Sequence, residues 1–350
     1  MTDPTELDIA GRRVGADHPP LVIAEVGINH EGDIAKAIAC VDAAVDAGAE
    51  VIKFQCHITE QEMVPTDMTP GKISSEKLWD IIKRCELTAA EELQVQAHCG
   101  ERGILYLSTP FSREAADRLH GMNIPAFKIG SGECNNLPLI DHIARFGKPM
   151  LVSTGMNDLD SVRRTVQVLR AHGTPFALLH CTSMYPTPNE KVRLGAIGDL
   201  AAAFPGVPLG LSDHSAGIWT CLGAVALGAT VLEKHFTVSR SWPGPDVPIS
   251  IEPDELRDLV TGAAAIWQAR GGSKTILAEE QPVIDFAYAT VVSIAPIAAG
   301  EELTLANTWV KRPGTGPILA DRLDDVLGRR AARAIDADRH IDPADLEGFA

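Results

Sequence analysis

Short runs of apolar, β-branched residues alternate along this chain with longer stretches in which apolar positions recur every three or four residues. The first pattern is that of buried strands, the second that of amphipathic helices. Together they predict strands over residues 21–25, 51–55, 104–108, 126–129, 150–153, 176–179, 207–211 and 230–232. A first helix is expected from Asp33 to the stop at Gly48, with Ile34, Ala37, Ile38, Val41, Ala44 and Val45 as its stripe. Others follow over 88–102, 112–119, 139–145, 159–171, within 192–204, over 218–227 and over 256–270, the last begun near Pro253 and ended by Gly271 and Gly272. Eight strands alternating with eight helices over roughly 255 residues is the count and length of an α/β protein of the (β/α)8 TIM-barrel class. A doubly wound open sheet is the competing arrangement, but it gives no reason for polar residues at the end of every strand.

Three stretches fall outside this rhythm. Residues 1–19 carry turn and polar residues and are expected to form an edge hairpin or a cap. The connection 56–80 has no clear period, and a loop that long inside a compact domain is usually functional or a lid. After Gly272 the alternation ends: 273–284 read as a linker, and 285–350 hold short β-type runs such as 289–294 and short helical pieces such as 320–327. The expected organisation is a barrel over 1–272, a linker over 273–284, and a small α+β module over 285–350.

Bulk properties narrow the function. No run approaches the roughly 18 apolar residues of a membrane-spanning helix, and MTDPTELDIAGRR at the N-terminus lacks an apolar signal core, so a cytoplasmic protein without membrane contact is expected. A formal net charge of −16 argues against nucleic acid as a partner, yet leaves room for a small anion held by a few lysines in one cleft. The seven cysteines, Cys40, Cys56, Cys85, Cys99, Cys134, Cys181 and Cys221, are odd in number, scattered and free of CxxC pairs, the pattern of reduced thiols.

In a barrel of this kind chemistry sits at the C-terminal ends of the strands. Those ends read Glu25; Lys53 and Gln55; Ser108 and Thr109; Lys128, with Ser131 and Glu133 beyond it; Ser153 and Thr154; His180; Ser212 and His214; Glu233 and His235. The last two strands flank one helix in a βαβ unit, so they run parallel and bring His214 and His235 out side by side. Neutral imidazoles converging there, beside Asp213 and Glu233, are what a divalent metal needs, although one histidine at a strand end is more often a hydrogen-bonded polar residue. A lysine ending an apolar strand is costly to desolvate unless an anion meets it. Lys53 and Lys128, with Thr109, Ser131, Ser153, Ser212 and the Gly130-Ser131-Gly132 turn, make a cradle for phosphate and carboxylate. Internal salt bridges for the lysines and helix N-caps for the hydroxyls are the structural alternatives.

At these residues the chain resembles the sialic acid synthase family, which condenses phosphoenolpyruvate with an N-acylated mannosamine. The resemblance is carried by IAEVGINHEGD (23–33), AGAEVIKFQ (47–55), STPFS (108–112), FKIGSGECNNLPLI (127–140), LVSTGM (151–156), LHCTSMYPTP (179–188), GLSDHS (210–215), LEKHFT (232–237) and GPD (244–246). The terminal module resembles the antifreeze-like (SAF) domain of these synthases, including VKRPGTG at 310–316. The resemblance implies His214 and His235 as ligands of Mn²⁺, with Mg²⁺ or Co²⁺ as alternatives. It implies Lys53, Thr109, Lys128, Ser131, Ser153 and Ser212 around phosphoenolpyruvate, and Gln55, Glu133, Ser183, Tyr185, Asp246 and Arg312 around the sugar. Ser183 stands where some members carry asparagine. Glu25, Lys53, Lys128 and Glu133 are the implied catalytic residues, and Glu25 or a nearby carboxylate would handle the proton of the attacking water. The family also implies a domain-swapped homodimer in which Arg312 reaches the partner's sugar.

The expected function is therefore N-acetylneuraminate synthesis from phosphoenolpyruvate, N-acetylmannosamine and water. Synthesis of a related nonulosonic acid, such as legionaminic acid from 2,4-diacetamido-2,4,6-trideoxymannose, is the alternative. A metal-dependent aldolase or hydrolase on the same barrel, and a carbohydrate-surface or ice-binding protein built on the terminal module, are the readings from other classes; the module's lack of Thr arrays argues against the last.

Overall fold

The computed structural model describes residues 5–71 and 74–349, in two compact units, Met1–Gly271 and Gly272–Ala350. The first unit opens with an antiparallel hairpin of β1 (Glu6–Ile9) and β2 (Arg12–Gly15). The chain then runs β3 (Leu21–Gly27), α1 (Ile34–Asp46), β4 (Val51–Cys56), α2 (Thr59–Glu62), α3 (Leu78–Cys85), α4 (Ala89–Arg102), β5 (Leu105–Pro110), α5 (Arg113–Gly121) and β6 (Phe127–Ile129). It continues with α6 (Leu137–Ala144), β7 (Met150–Ser153), α7 (Leu159–His172), β8 (Phe176–Cys181), α8 (Asn189–Val192), α9 (Ala196–Ala203), β9 (Leu209–Asp213), α10 (Trp219–Ala226), β10 (Val231–His235) and α11 (Pro253–Ala269). Strands β3 to β10 pair in parallel and close into an eight-stranded barrel, with β10 beside β3. This is the TIM barrel that the alternating pattern predicts.

Local chemistry sets the helix ends. The side chains of Asp33, Ser112, Asn136 and Asp158 each accept a first-turn backbone N–H, and Thr88 and Glu91 form a reciprocal capping box on α4. Strand alternation sets the core. Inward positions Leu21, Ile23, Val51, Leu107, Leu151, Leu179 and Val231 fill the lower barrel together with Leu7, Ile9 and Val14 of the hairpin, which therefore acts as a cap. The intervening outward positions, among them Phe54, Tyr106, Phe127 and Phe176, pack against the helices.

Two expectations need correction. The stretch 56–80 is not a featureless loop: α2 and α3 lie on it and beyond it, and Ile81, Ile82 and Cys85 are buried, the one-sided spacing of a short amphipathic helix. Strands β8, β9 and β10 run two or three residues further than their apolar cores, because polar residues continue the ladder to Cys181, Asp213 and His235.

In the second unit, the stretch expected as a linker carries a 3-10 turn, Ala278–Glu280, and the start of α12 (Gln281–Ala287). β11 (Thr290–Ser293) and β12 (Thr308–Lys311) form an antiparallel pair, followed by α13 (Leu323–Val326). Val291, Ile297, Leu303, Ile318, Val326 and Ile341 make its own small core.

Candidate active site

Above the apolar floor of the barrel the inward positions turn polar: Glu25 on β3, Lys53 and Gln55 on β4, Thr109 on β5, Lys128 on β6, Ser153 on β7, Ser212 on β9, Glu233 and His235 on β10. With Ser131, Ser183, Tyr185, His214 and Phe111 from the following loops they line a cavity of about 300 Å³. Two glycines shape it. The β3–β4 register shifts between Glu25 and Gly27, and Gly27, at φ +56°, absorbs the kink that a side-chain-bearing residue would resist. Gly155 lets the β7 loop approach so closely that a Cβ there would lie 2.5 Å from Ser183 Oγ and 2.7 Å from Ser131 Oγ.

The lysines meet carboxylates and hydroxyls of the barrel itself. Lys53 Nζ lies 2.6 Å from Glu25 Oε2, 3.8 Å from Glu233 Oε2, and donates to Thr109 Oγ1 at 2.9 Å. Lys128 donates to Ser153 Oγ at 2.8 Å and to the Ile129 carbonyl at 2.9 Å, and lies 3.4 Å from Glu233 Oε1, which also accepts from Ser212 at 2.9 Å. Glu233 is thus the hub of the floor. Burial works against its charge, but Lys128 and Lys53 outweigh it and hold the carboxyl below the ordinary glutamate range. For Glu25, burial wins over Lys53, and repulsion from Glu233 adds to it, so its carboxyl is raised to about 7. With one glutamate ionised and the other tilted toward its acid form, the two ammonium groups leave the floor with positive charge to offer an anion.

At the rim the rings of His214 and His235 lie with centroids 5.3 Å apart, and Tyr185 stacks on His214 at 4.2 Å. His214 Nδ1 contacts the Thr182 carbonyl at 3.0 Å, which leaves Nε2 for the cavity. His235 Nδ1 is buried without a hydrogen-bond partner, 3.8 Å from Asp246 Oδ2. Burial, and then the neighbouring positive charges, hold His235 well below the ordinary histidine range, so its imidazole is neutral. A buried, neutral, unpartnered ring nitrogen beside a second imidazole fits a cation, and His214 and His235 are the residues that could hold one. Among the described residues no three His, Cys, Asp or Glu side chains form a metal-holding group. Any such ion would need oxygen ligands from substrate and water.

The whole barrel module has known counterparts. Residues 40–275 match the NeuB family and residues 288–347 the SAF domain. The chain belongs to the NeuB family. It is 37% identical over 331 residues to the N,N'-diacetyllegionaminic acid synthase of Campylobacter jejuni, covering 92% of this chain and 98% of that protein. It is 33% identical to the N-acetylneuraminate-9-phosphate synthase of Homo sapiens over 97% of this chain and 96% of that protein. Among solved structures, the N-acetylneuraminic acid (sialic acid) synthetase of Leptospira borgpetersenii superposes with a TM-score of 0.73 at 33% identity, covering 81% of this chain and 96% of that one.

In this NeuB-family chain, most of the residues singled out in the sequence come together in the cavity, but seven stand elsewhere: Thr154, whose hydroxyl donates to the Leu179 carbonyl at 3.0 Å, and six more. Glu133 lies on a 3-10 turn, half-buried, bonded to Asn136 at 2.6 Å, and off the cavity wall. Asp246 borders an adjoining cavity of about 310 Å³; its carboxyl is raised to about 6 by burial. Ser108, His180 and Asp213 were expected at the mouth, but strand alternation turns them outward. His180 Nε2 contacts the Val192 carbonyl at 2.6 Å, and Asp213 pairs with Lys234 at 2.7 Å behind the barrel wall, so Asp213 does not join the histidines. Arg312 is exposed in the second unit, next to β12. Two residues that strand ends cannot flag are His57 and Glu62, which join Gln55 in one hydrogen-bonded chain.

Proposed function

We propose that this chain is an N-acetylneuraminate synthase that condenses phosphoenolpyruvate with N-acetylmannosamine and water and releases phosphate. The observation that carries the reading is the one cavity that brings together two buried lysines, the hydroxyls of Thr109, Ser131, Ser153 and Ser212, and two adjacent imidazoles at its rim. Lys53 and Lys128 would hold the carboxylate and phosphate of phosphoenolpyruvate, with Thr109, Ser131, Ser153 and Ser212 as hydrogen-bond donors. A divalent ion such as Mn²⁺, held by His214 and His235, would supply Lewis-acid polarisation of the open-chain sugar's aldehyde. The new bond joins C3 of phosphoenolpyruvate to that carbonyl carbon: the C2–C3 π pair forms it, the carbonyl π bond opens to an oxygen that takes up a proton as it becomes a hydroxyl, and C2 is left electron-deficient. The proton taken up is balanced by the one lost from the water that adds next. Water then adds at C2 and the C2–O bond to phosphate breaks. Glu25, raised toward neutrality, suits transfer of the water's proton, while Lys53 stays beside it to balance the charge that develops.

An acceptor without a 6-phosphate is supported by the adjoining cavity. Ile28, Met63, Leu78, Ile81 and Ile82 form its walls; Glu62 and Asp246 are its carboxylates, and among the described residues it is lined by no lysine or arginine. A dianion would be repelled there. The same apolar walls also suit a deoxy, diacetamido sugar, which keeps the legionaminic acid reading as the second one. For assembly, we propose the swapped homodimer with Arg312 acting on the partner's sugar; the exposed Ile276, Leu277, Val283 and Phe286 at the start of the second unit give that unit an apolar face to bury.

Phosphate release with phosphoenolpyruvate and a panel of N-acetylmannosamine, its 6-phosphate and the 2,4-diacetamido-6-deoxy analogue tests the reading. The highest kcat/KM is expected for N-acetylmannosamine. Preference for the diacetamido sugar moves the assignment to the second reading, and no release with any acceptor overturns both.

A further inference from the structure

The β4–α4 connection is tied to the floor of the site by a side chain that the chemistry above leaves unused. His57 is buried, its ring stacked on Phe111 with centroids 4.5 Å apart and planes 11° from parallel. Its Nδ1 lies 2.9 Å from Glu62 Oε2 and 3.1 Å from Oε1, and Glu62, on α2, has a side chain only 6% exposed. Its Nε2 lies 2.9 Å from Gln55 Oε1, and Gln55 Nε2 donates to Glu25 Oε1 at 3.1 Å. Glu25 closes the chain on Lys53.

Donor and acceptor chemistry sets the direction of this chain. An ionised carboxylate only accepts, so Nδ1–H of His57 donates to Glu62. An amide has its donors on one end only; with Gln55 Nε2 given to Glu25, Gln55 Oε1 accepts from Nε2–H of His57. Turning the Gln55 amide over would set its NH2 against the N–H of the ring. The ring therefore faces the oxygen end of Gln55, and it is itself held by stacking on Phe111 and by Glu62.

We infer that His57 is a positioning residue with two ends: Nε2 aligns Gln55 against Glu25, and Nδ1 seats α2 through Glu62. The inference rests on the proposed role of Glu25 in the condensation. It makes the β4–α4 connection more than a cover, because the residue that holds α2 also sets the geometry at the floor.

The test separates the two ends of the ring with full-length variants. In His57→Gln the amide nitrogen reaches the place of Nε2 and keeps the donor to Gln55, while the Glu62 contact is lost. In His57→Asn the amide reaches the place of Nδ1, keeping Glu62 and losing Gln55. Phosphate release by His57→Asn is expected to show kcat lowered about tenfold or more, and His57→Gln to stay within about threefold of the parent, with KM for phosphoenolpyruvate unchanged within about twofold in both. Limited proteolysis of substrate-free protein is expected to cut within 57–85 at least about threefold faster in His57→Gln and in Glu62→Ala, and at the parental rate in His57→Asn. Equal kcat losses in the Gln and Asn variants, or a KM for phosphoenolpyruvate that moves with kcat, would overturn the inference. So would unchanged proteolysis in Glu62→Ala, a readout that stands if the His57 variants do not fold. Absence of phosphate release in the parent enzyme would count against the proposed reaction alone, because the proteolysis arm still reports on the latch.

Discussion

Lys234 and Asp213 allow a sharp test of how the barrel wall is held. Their side chains are 0% and 1% exposed, Nζ lies 2.7 Å from Oδ2, and the same carboxylate oxygen accepts from the hydroxyls of Ser215 and Thr220 at 2.9 Å each. At that separation and an effective dielectric constant near 20, the gross attraction is about 6 kcal/mol, most of it offset by the cost of taking both charges out of water. Removing one partner forfeits the attraction and keeps the cost, so Lys234→Met and Asp213→Leu are each expected to destabilise the barrel by about 3–5 kcal/mol. The double variant removes both charges, and its cost is expected to fall about 3 kcal/mol or more short of the sum. Urea unfolding of the barrel followed by circular dichroism near neutral pH measures this. The pH dependence has a definite sign. Burial alone would raise the Asp213 carboxyl, but Lys234 and the hydrogen bonds outweigh it and hold it below the ordinary aspartate range. A depressed folded-state value means that the stabilisation is present above the unfolded pKa of about 4 and is lost as pH falls through the folded value. The gap between parent and Lys234→Met should therefore close in acid. Additive single costs, a cost below about 1 kcal/mol for Lys234→Met, or a gap that widens in acid would refute the reasoning.

Three further outcomes are expected. Chelation should abolish phosphate release and Mn²⁺ restore it; full activity of the His214→Ala, His235→Ala double variant in chelator would exclude the metal site. Gly155→Ala should raise KM for phosphoenolpyruvate about tenfold, because the new methyl displaces the Ser131 hydroxyl from the cradle, and steady-state kinetics with an unchanged KM would contradict that. Co-expression of a His235→Ala chain with an Arg312→Ala chain should recover activity if Arg312 acts across a swapped dimer, since one site then has both groups intact; a verified heterodimer without recovery would exclude the arrangement.

Much of the site was legible because two periodicities coincide. The inward positions of a strand are every second residue, so the apolar floor and the polar layer above it appear in sequence as an apolar run that turns polar at Glu25, Lys53, Lys128, Ser153, Ser212 and Glu233. The same alternation explains the failures: Ser108, His180 and Asp213 are polar residues near a strand end, and only the register of each strand says that they turn outward. Composition identified Glu233 as an acid near the histidines, but its place between both lysines and Ser212 depends on contacts between β4, β6, β9 and β10. The helix α3 escaped notice because it is short and its apolar positions lie close to the start of α4. His57 and Glu62 had no motif to mark them; their roles come from a ring held between two loops that meet only in the fold.

The apolar side cavity beside the floor is walled largely from one contiguous insertion, the stretch between β4 and α4, whereas the lysines and imidazoles come from separate strands all round the barrel. On the proposed function, bond-making and choice of sugar would thereby be written in different parts of the chain. Exchange of that one insertion would then alter the walls around the acceptor and leave the strand-borne lysines and imidazoles in place. The closure on Gln55 sets the terms of such an exchange: an incoming segment would have to bring both a group that faces Gln55 as His57 does and a carboxylate that holds it as Glu62 does.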